Sequence, residues 1–145
     1  MPNDKFDCLK LENQLCFPLY ACSREVVKRY TPYLDALDLT YTQYITMMVM
    51  WEHRSIKVKE AGELLRLDSG TLTPLFKKLE DKGYVTRTRS KEDERNLIVD
   101  ITEKGLALRE KAADIPSRLR SCINLSDEEA LQLYNLLQKL LSTMD

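Results

Sequence analysis

Residues 58–101 read VKEAGELLRLDSGTLTPLFKKLEDKGYVTRTRSKEDERNLIVDI, and a change of apolar period inside this stretch decides the fold. Val58, Ala61, Leu64 and Leu65 recur at three- and four-residue steps and mark a short helix that tolerates Gly62. Leu67 and the polar run Asp68, Ser69, Gly70 interrupt the pattern. Leu72, Leu75, Phe76 and Leu79 then mark a second helix, ended by Gly83 as a left-handed residue. Two short helices across a tight polar turn make a helix-turn-helix. From Tyr84 the period shortens, so 84–88 and 96–101 predict two strands of a hairpin with a charged tip at 91–95. The tip residues do not suit a two-residue type I′ turn. The fold class is mainly α with a small β-hairpin, a winged helix-turn-helix.

The flanks supply long amphipathic stripes. Leu11, Leu15, Leu19, Cys22, Val26 and Tyr30 trace one helical face. Pro18 predicts a bend within it, Thr31-Pro32 a break after it, and Tyr33 to Leu37 a short helix or turn. Thr40 or Thr42 caps the next helix, which runs to about His53 and is apolar on most sides. Its Met-rich stripe reads as core. After the hairpin, Thr102 starts a helix through Leu106, Leu108, Ala112, Ala113 and Ile115, interrupted at Pro116. Ser126 and Glu129 form a capping box for a last helix lined by Leu133, Leu136, Leu137, Leu140 and Leu141. Strong stripes at both ends predict a homodimer interface, the alternative being a monomer that buries both. The expected organisation is a single domain over 1–145, with dimerisation helices at 1–37 and 103–145 and the DNA-binding region at 55–101.

Charge distribution agrees with that division. The net charge of the whole chain is -1, but residues 54–91 carry a net +5 and the remaining segments are negative, which places a polyanion at the middle. On the second helix of the motif Thr71, Pro74, Lys77 and Lys78 face solvent. Its N-terminal amides suit a phosphate near Ser69 and Gly70, and Asp68 just before them is counted with the DNA-binding residues. Thr71 and Thr73 are short enough to meet base edges, whereas Lys77, Lys78, Arg87 and Arg89 suit phosphates. Arg95, at the hairpin tip and braced by Asp93, can reach a minor groove. A symmetric dimer then calls for a palindromic duplex with half-sites about 34–36 Å apart. The chain lacks the interleaved aromatic sheet pattern of an RNA binder.

Other classes fit poorly. No apolar run approaches the roughly 18 residues of a membrane span, and MPNDKFD is unlike an export signal, so a cytoplasmic protein without membrane contact is expected. Four cysteines at 8, 16, 22 and 122 and one histidine lack the spacing of a zinc site or a disulfide framework. Read from residues alone, Cys16 is an inert core thiol or a reactive one.

The run TPLFKKLEDKGYVTRTRSKEDERNLIVDITEKG (73–105) resembles the helix-wing-helix core of MarR-family regulators. KLENQLCFPLYACSRE (10–25) and RYTPYLDALDLTYTQY (29–44) resemble the organic hydroperoxide resistance regulator branch, to which redox-sensing staphylococcal-type members are also similar. The resemblance implies a dimeric repressor that leaves operator DNA when a cysteine near the N-terminus is oxidised by peroxide. It places the sensing cysteine on Cys16, two tyrosines from the other subunit on Tyr30 and Tyr41, and the wing-tip pair on Asp93 and Arg95. Cys122 is the candidate second thiol for an intersubunit disulfide, the other route being capture of a small external thiol. Two tyrosine hydroxyls donating to sulfur favour thiolate over thiol, and oxidation gives a sulfenic acid that a second thiol traps. Leu15, Phe17 and Leu19 suit an organic peroxide. Helix-terminal amides can assist Cys16 if it lies near the helix start, whereas an apolar stripe that begins at Leu11 sets it further inside.

Three other readings stay open at this point. One is a regulator of the same fold induced by a small aromatic ligand, one a thiol peroxidase, and one a purely structural helical dimer. The absence of a CxxC pair or an acid-base cluster beside Cys16 favours a regulator over an enzyme.

Overall fold

A computed structural model describes residues 4–89 and 96–145. The chain divides into two compact units, Met1–Ala113 and Asp114–Asp145.

In the first unit two single 3-10 turns, Asp7–Leu9 and Leu11–Asn13, precede helix α1, Cys16–Asp35. The helix therefore begins five residues later than the apolar stripe alone suggests. Asn13 and Gln14 donate to the carbonyls of Asp7 and Cys8 at 2.7 and 2.6 Å, which holds this stretch in turns. Pro18 falls in the first turn of α1, where its missing N–H has no intrahelical partner to lose, so the expected bend does not arise. The expected break at Thr31-Pro32 is also absent. Pro32 forgoes one bond to the Lys28 carbonyl, yet the helix continues to Asp35 and buries Leu34. Residues 33–35 are thus the end of α1 rather than a separate element.

Helix α2, Tyr41–His53, starts at a Thr40 cap with a complete capping box to Gln43. It is the central element: Gln43, Tyr44, Thr46, Met47 and Met50 are all buried. A short strand β1, Ser55–Lys57, leads into α3, Val58–Leu65, and α4, Ser69–Asp81. Gly62 is more than tolerated here. A Cβ at this position would stand 2.8 Å from the Leu67 carbonyl oxygen and 2.9 Å from a Leu72 methyl, so the two helices approach only because Gly62 has none. Gly83, at φ +82°, turns the chain after α4 into strand β2, Val85–Arg89. Strand β3, Leu97–Ile101, pairs antiparallel with β2 and with β1, giving the order β1-β3-β2, in which Val99 faces Arg87 on one side and Ile56 on the other. Sequence reading finds the hairpin but not β1, whose three residues are too few to show alternation.

Thr102 caps α5, Glu103–Ala112, and Trp51 of α2 donates its indole N–H to the Gly105 carbonyl at 2.9 Å. The helix expected to run to Ile115 stops at Ala112. In the second unit a separate helix α6, Ile115–Ser121, starts there with Pro116 in its first turn, a position proline fits. Arg120 donates to the Leu125 carbonyl and to Asp127 at 3.0 and 2.8 Å, closing the turn to α7, Asp127–Ser142. The Ser126–Glu129 capping box forms as expected, with bonds of 3.1 and 3.0 Å. Helix α7, described in full, buries none of its residues. No helix among the described residues is long and apolar enough to cross a membrane.

Candidate functional site

Helix α4, the second of the helix-turn-helix, divides by face. Leu72, Leu75, Phe76 and Leu79 are buried, which turns Thr71, Thr73, Lys77 and Lys78 outward with Ser69 and Gly70 at the start. Asp68 caps the helix by accepting the Thr71 amide at 2.7 Å. Hydrogen bonding from Thr71, from its side chain first and its amide second, holds the Asp68 carboxyl below its ordinary 3.8 and keeps it ionised. A cleft of about 610 Å³ lies between α3, the first turns of α4 and the hairpin, with Ser69, Thr73 and Arg89 on its wall. Gly70 has open space: a Cβ there would meet only the Asp68 carboxylate, at 3.5 Å.

The hairpin cations differ in setting. Arg87 is held by Glu80 of α4, with Nη2 and Nε 3.1 and 3.3 Å from Oε1 and its backbone N–H 3.0 Å from Oε2. Arg89 is exposed. Asp93 and Arg95, the wing-tip pair, lie outside the described residues.

Cys16 is the first residue of α1, so it lies at the helix terminus and not inside a helix that starts near Leu11. The discrepancy follows from the 3-10 turns that occupy 7–13. Leu15 at the cap contributes no side-chain hydrogen bond to the first-turn amides. The surroundings are apolar and open: Leu15 is 80% exposed, and Phe17, Leu19 and Tyr20 are exposed as well.

Tyr30 and Tyr41 come together, their ring centroids 5.0 Å apart. Burial first, then the neighbouring Tyr41, raises the pKa of Tyr30 above 10.0, and burial does the same for Tyr41. Both stay protonated donors. They are far from Cys16 of their own chain, since fourteen residues of α-helix span about 21 Å. Any hydrogen bond from these phenols to a Cys16 sulfur is one between two copies. Cys8, Cys22 and Cys122 are exposed free thiols, and Cys122 ends α6 in the second unit.

Sequence reading missed the rest of this cluster. Tyr44 stacks within 5.6 Å of Tyr30 and 6.3 Å of Tyr41, and Trp51 stands edge-on to it at 6.3 Å. Burial, with Tyr30 and Tyr41 beside it, pushes Tyr44 up to about 12. The i, i+3 step from Tyr41 to Tyr44 is the signal that was available. No group of three or more metal-ligating side chains occurs among the described residues.

Comparison with known proteins fits this geometry. Residues 28–114 match the family model described as transcriptional regulator SarA/Rot. The chain is 51% identical over 141 residues to the organic hydroperoxide resistance transcriptional regulator of Bacillus subtilis, covering 97% of this chain and 96% of that one. It is 46% identical over 132 residues to the HTH-type transcriptional regulator SarZ of Staphylococcus aureus, covering 91% and 89%. Reduced AbfR bound to DNA superposes with a TM-score of 0.79 at 33% identity over 98% and 100% of the two chains. A disulfide-formed AbfR superposes at 0.70, again at 33% identity, over 94% and 93%. The chain belongs to the MarR family of winged helix-turn-helix transcriptional regulators, in the branch that contains the organic hydroperoxide resistance regulator and SarZ.

Proposed function

We propose that the protein is a dimeric repressor that holds palindromic operator DNA while Cys16 is reduced and leaves it when peroxide has oxidised that thiol. The observation that carries this reading is the exposed Cys16 at the start of α1, on an apolar surface that one chain leaves uncovered. A second copy covers that surface together with α7, and brings its Tyr30 and Tyr41 to the sulfur. Two α4 helices then present Ser69, Gly70, Thr71 and Thr73 to successive major grooves, with Lys77, Lys78, Arg87 and Arg89 on phosphates and the Asp93–Arg95 pair at the minor groove.

The chemistry needs only a thiolate and a peroxide. The positive end of α1 and two donated phenol hydroxyls suit a negatively charged sulfur. Sulfur bonds to the terminal oxygen of the hydroperoxide, the O–O bond breaks, and the departing alkoxide takes a proton to become the alcohol. Sulfur has lost two electrons and the peroxide has gained them. A second thiol, Cys122 of the partner or a small external one, then displaces water from the sulfenic acid and leaves a disulfide. The disulfide state of AbfR is a precedent for that end point in a relative. A disulfide of fixed length at the dimer surface displaces α1, and with it the spacing of the two reading helices.

Anisotropy of a labelled operator, measured during cumene hydroperoxide titration with intact-mass analysis of each point, tests this. Operator affinity is expected to fall by about 5–150-fold as Cys16 oxidises, and Cys16→Ser to bind normally but not respond. Full oxidation of Cys16 with unchanged affinity would remove the switch. Loss of release in Cys122→Ser, with sulfenic acid retained, assigns Cys122 as the second thiol.

A further inference from the structure

The first turn of α2, which carries Tyr41, and the end of α4 meet at one buried amide oxygen. Gln43 is 4% exposed. Its Oε1 accepts the Thr40 backbone N–H at 3.1 Å, completing the capping box of the helix whose first residue is Tyr41. The same Oε1 accepts from Lys82 Nζ at 3.1 Å. Lys82 is the C-terminal cap of α4. Its ammonium also donates to the Asp38 carbonyl and lies 3.6 Å from the Asp38 carboxylate. Asp38 belongs to the turn between α1 and α2 and holds a left-handed φ of 53°.

The backbone at this end of α4 is fixed from the other side. Lys104 donates to the Lys82 carbonyl at 2.8 Å, and the Thr102 hydroxyl to the Gly83 carbonyl at 2.6 Å. Lys82 is thus pinned through its carbonyl to α5 and through its side chain to the α1–α2 turn. An open cleft of about 370 Å³, lined by Asp35, Thr40, Gln43 and Lys82, leaves room for the ammonium to shift.

We propose that Lys82 is the positioning residue that couples the sensing tyrosines to the reading helix. Resting on the redox reading above, the coupling works as follows. A change at Cys16 displaces Tyr41 of the partner, the first turn of α2 moves with it, and Gln43 Oε1 moves because it is part of the cap. A partly buried ammonium left without its acceptors is costly, so Lys82 follows them. The end of α4 follows Lys82. The two residues are neighbours in space but separated by 39 in sequence, and each belongs to one of the two sites being coupled.

The test is the ratio of operator affinities for reduced and fully oxidised protein, in wild type, Lys82→Met and Lys82→Arg. Lys82→Met keeps the length of the side chain and removes the donors. Reduced Lys82→Met is expected to bind operator within about threefold of wild type, and its oxidised form to remain bound, so that the ratio collapses toward one from a typical coupling of about 5–150-fold. Lys82→Arg, which keeps the charge and the donors, is expected to restore most of it. A lysine that merely supported the fold would weaken both states alike and preserve the ratio. That result overturns the proposal. A wild-type ratio of one would instead defeat the redox reading itself. Hydrogen exchange on wild-type protein gives a measure independent of any variant: oxidation is expected to change protection at 40–44 and at 78–83 together. A change confined to either end overturns the coupling.

Discussion

Helices α4 and α7 are comparably amphipathic, yet the chain treats them in opposite ways. Leu72, Phe76 and Leu79 of α4 are at most 1% exposed, whereas Leu131 and Leu136 of α7 are 60% and 63% exposed. The first part of α1 resembles α7, with Leu15, Phe17, Leu19 and Tyr20 all open. An apolar stripe says that a face must be covered; it does not say by which chain. One copy buries the apolar face of α4 by itself, and under the function proposed above the open faces of α1 and α7 are covered by a second copy. On that proposal the helix-turn-helix packs without help from the surface on which chemistry acts, and α2 couples the two.

The largest effect is expected where the uncovered stripe is made polar. Leu133→Asp with Leu136→Asp removes two leucines per copy from the proposed interface. At about 1.5–3 kcal/mol for each buried leucine, four of them amount to at least about 6 kcal/mol, or roughly 10⁴-fold in the dimer dissociation constant. Sedimentation should show single copies at micromolar concentration that retain helical circular dichroism. A variant that remains dimeric would place the interface elsewhere and remove the contrast between the two helices.

Next comes the covered stripe. Phe76 is fully buried among Leu72, Leu79 and the core of the first unit. Phe76→Ala is expected to lower unfolding stability by about 4 kcal/mol through lost burial and the cavity left behind. Urea unfolding at one fixed protein concentration measures it, since a dimer's midpoint moves with concentration. A loss below about 1 kcal/mol would mean that the reading head is not the independently packed part.

The comparison also explains what the sequence discloses. Helix-turn-helix, hairpin and α7 are legible because each is a local periodic pattern bounded by a strong stop or cap: Gly83, Thr102, and Ser126 with Glu129. The start of α1 is not legible. Leu11 and Leu15 continue the apolar spacing into a segment that Asn13 and Gln14 hold as 3-10 turns, and side-chain bonds to carbonyls six residues back have no periodic signature. The later start places Cys16 at the end of the helix, which the apolar spacing alone does not show. Pro32 misled for a related reason, because burial of Leu34 outweighs one missing hydrogen bond near a helix end. The candidate site divides in the same way. Residues of α4 follow from facing alone, while Gln43 and Lys82 meet only through tertiary structure, and nothing in QYITMM or EDKGY announces the contact.

The smallest expected effect lies within the reading head. The Arg87 guanidinium, donating to Glu80, holds that carboxyl below its ordinary 4.5; burial opposes this, and the Arg87 backbone N–H adds to the lowering. The folded value is depressed, so the ion pair's contribution is present above the ordinary glutamate range and is lost as pH falls through the lowered value. Glu80→Gln is expected to flatten that part of the acid limb of stability and to change little near neutral pH, as measured by melting temperature against pH. It also removes a negative charge from Arg87, which then serves DNA phosphates undivided. Operator affinity should rise slightly and its dependence on salt should steepen by about one phosphate contact. An unchanged salt slope would mean that Arg87 serves the fold of the head alone, leaving Lys77, Lys78 and Arg89 to hold the backbone of the duplex.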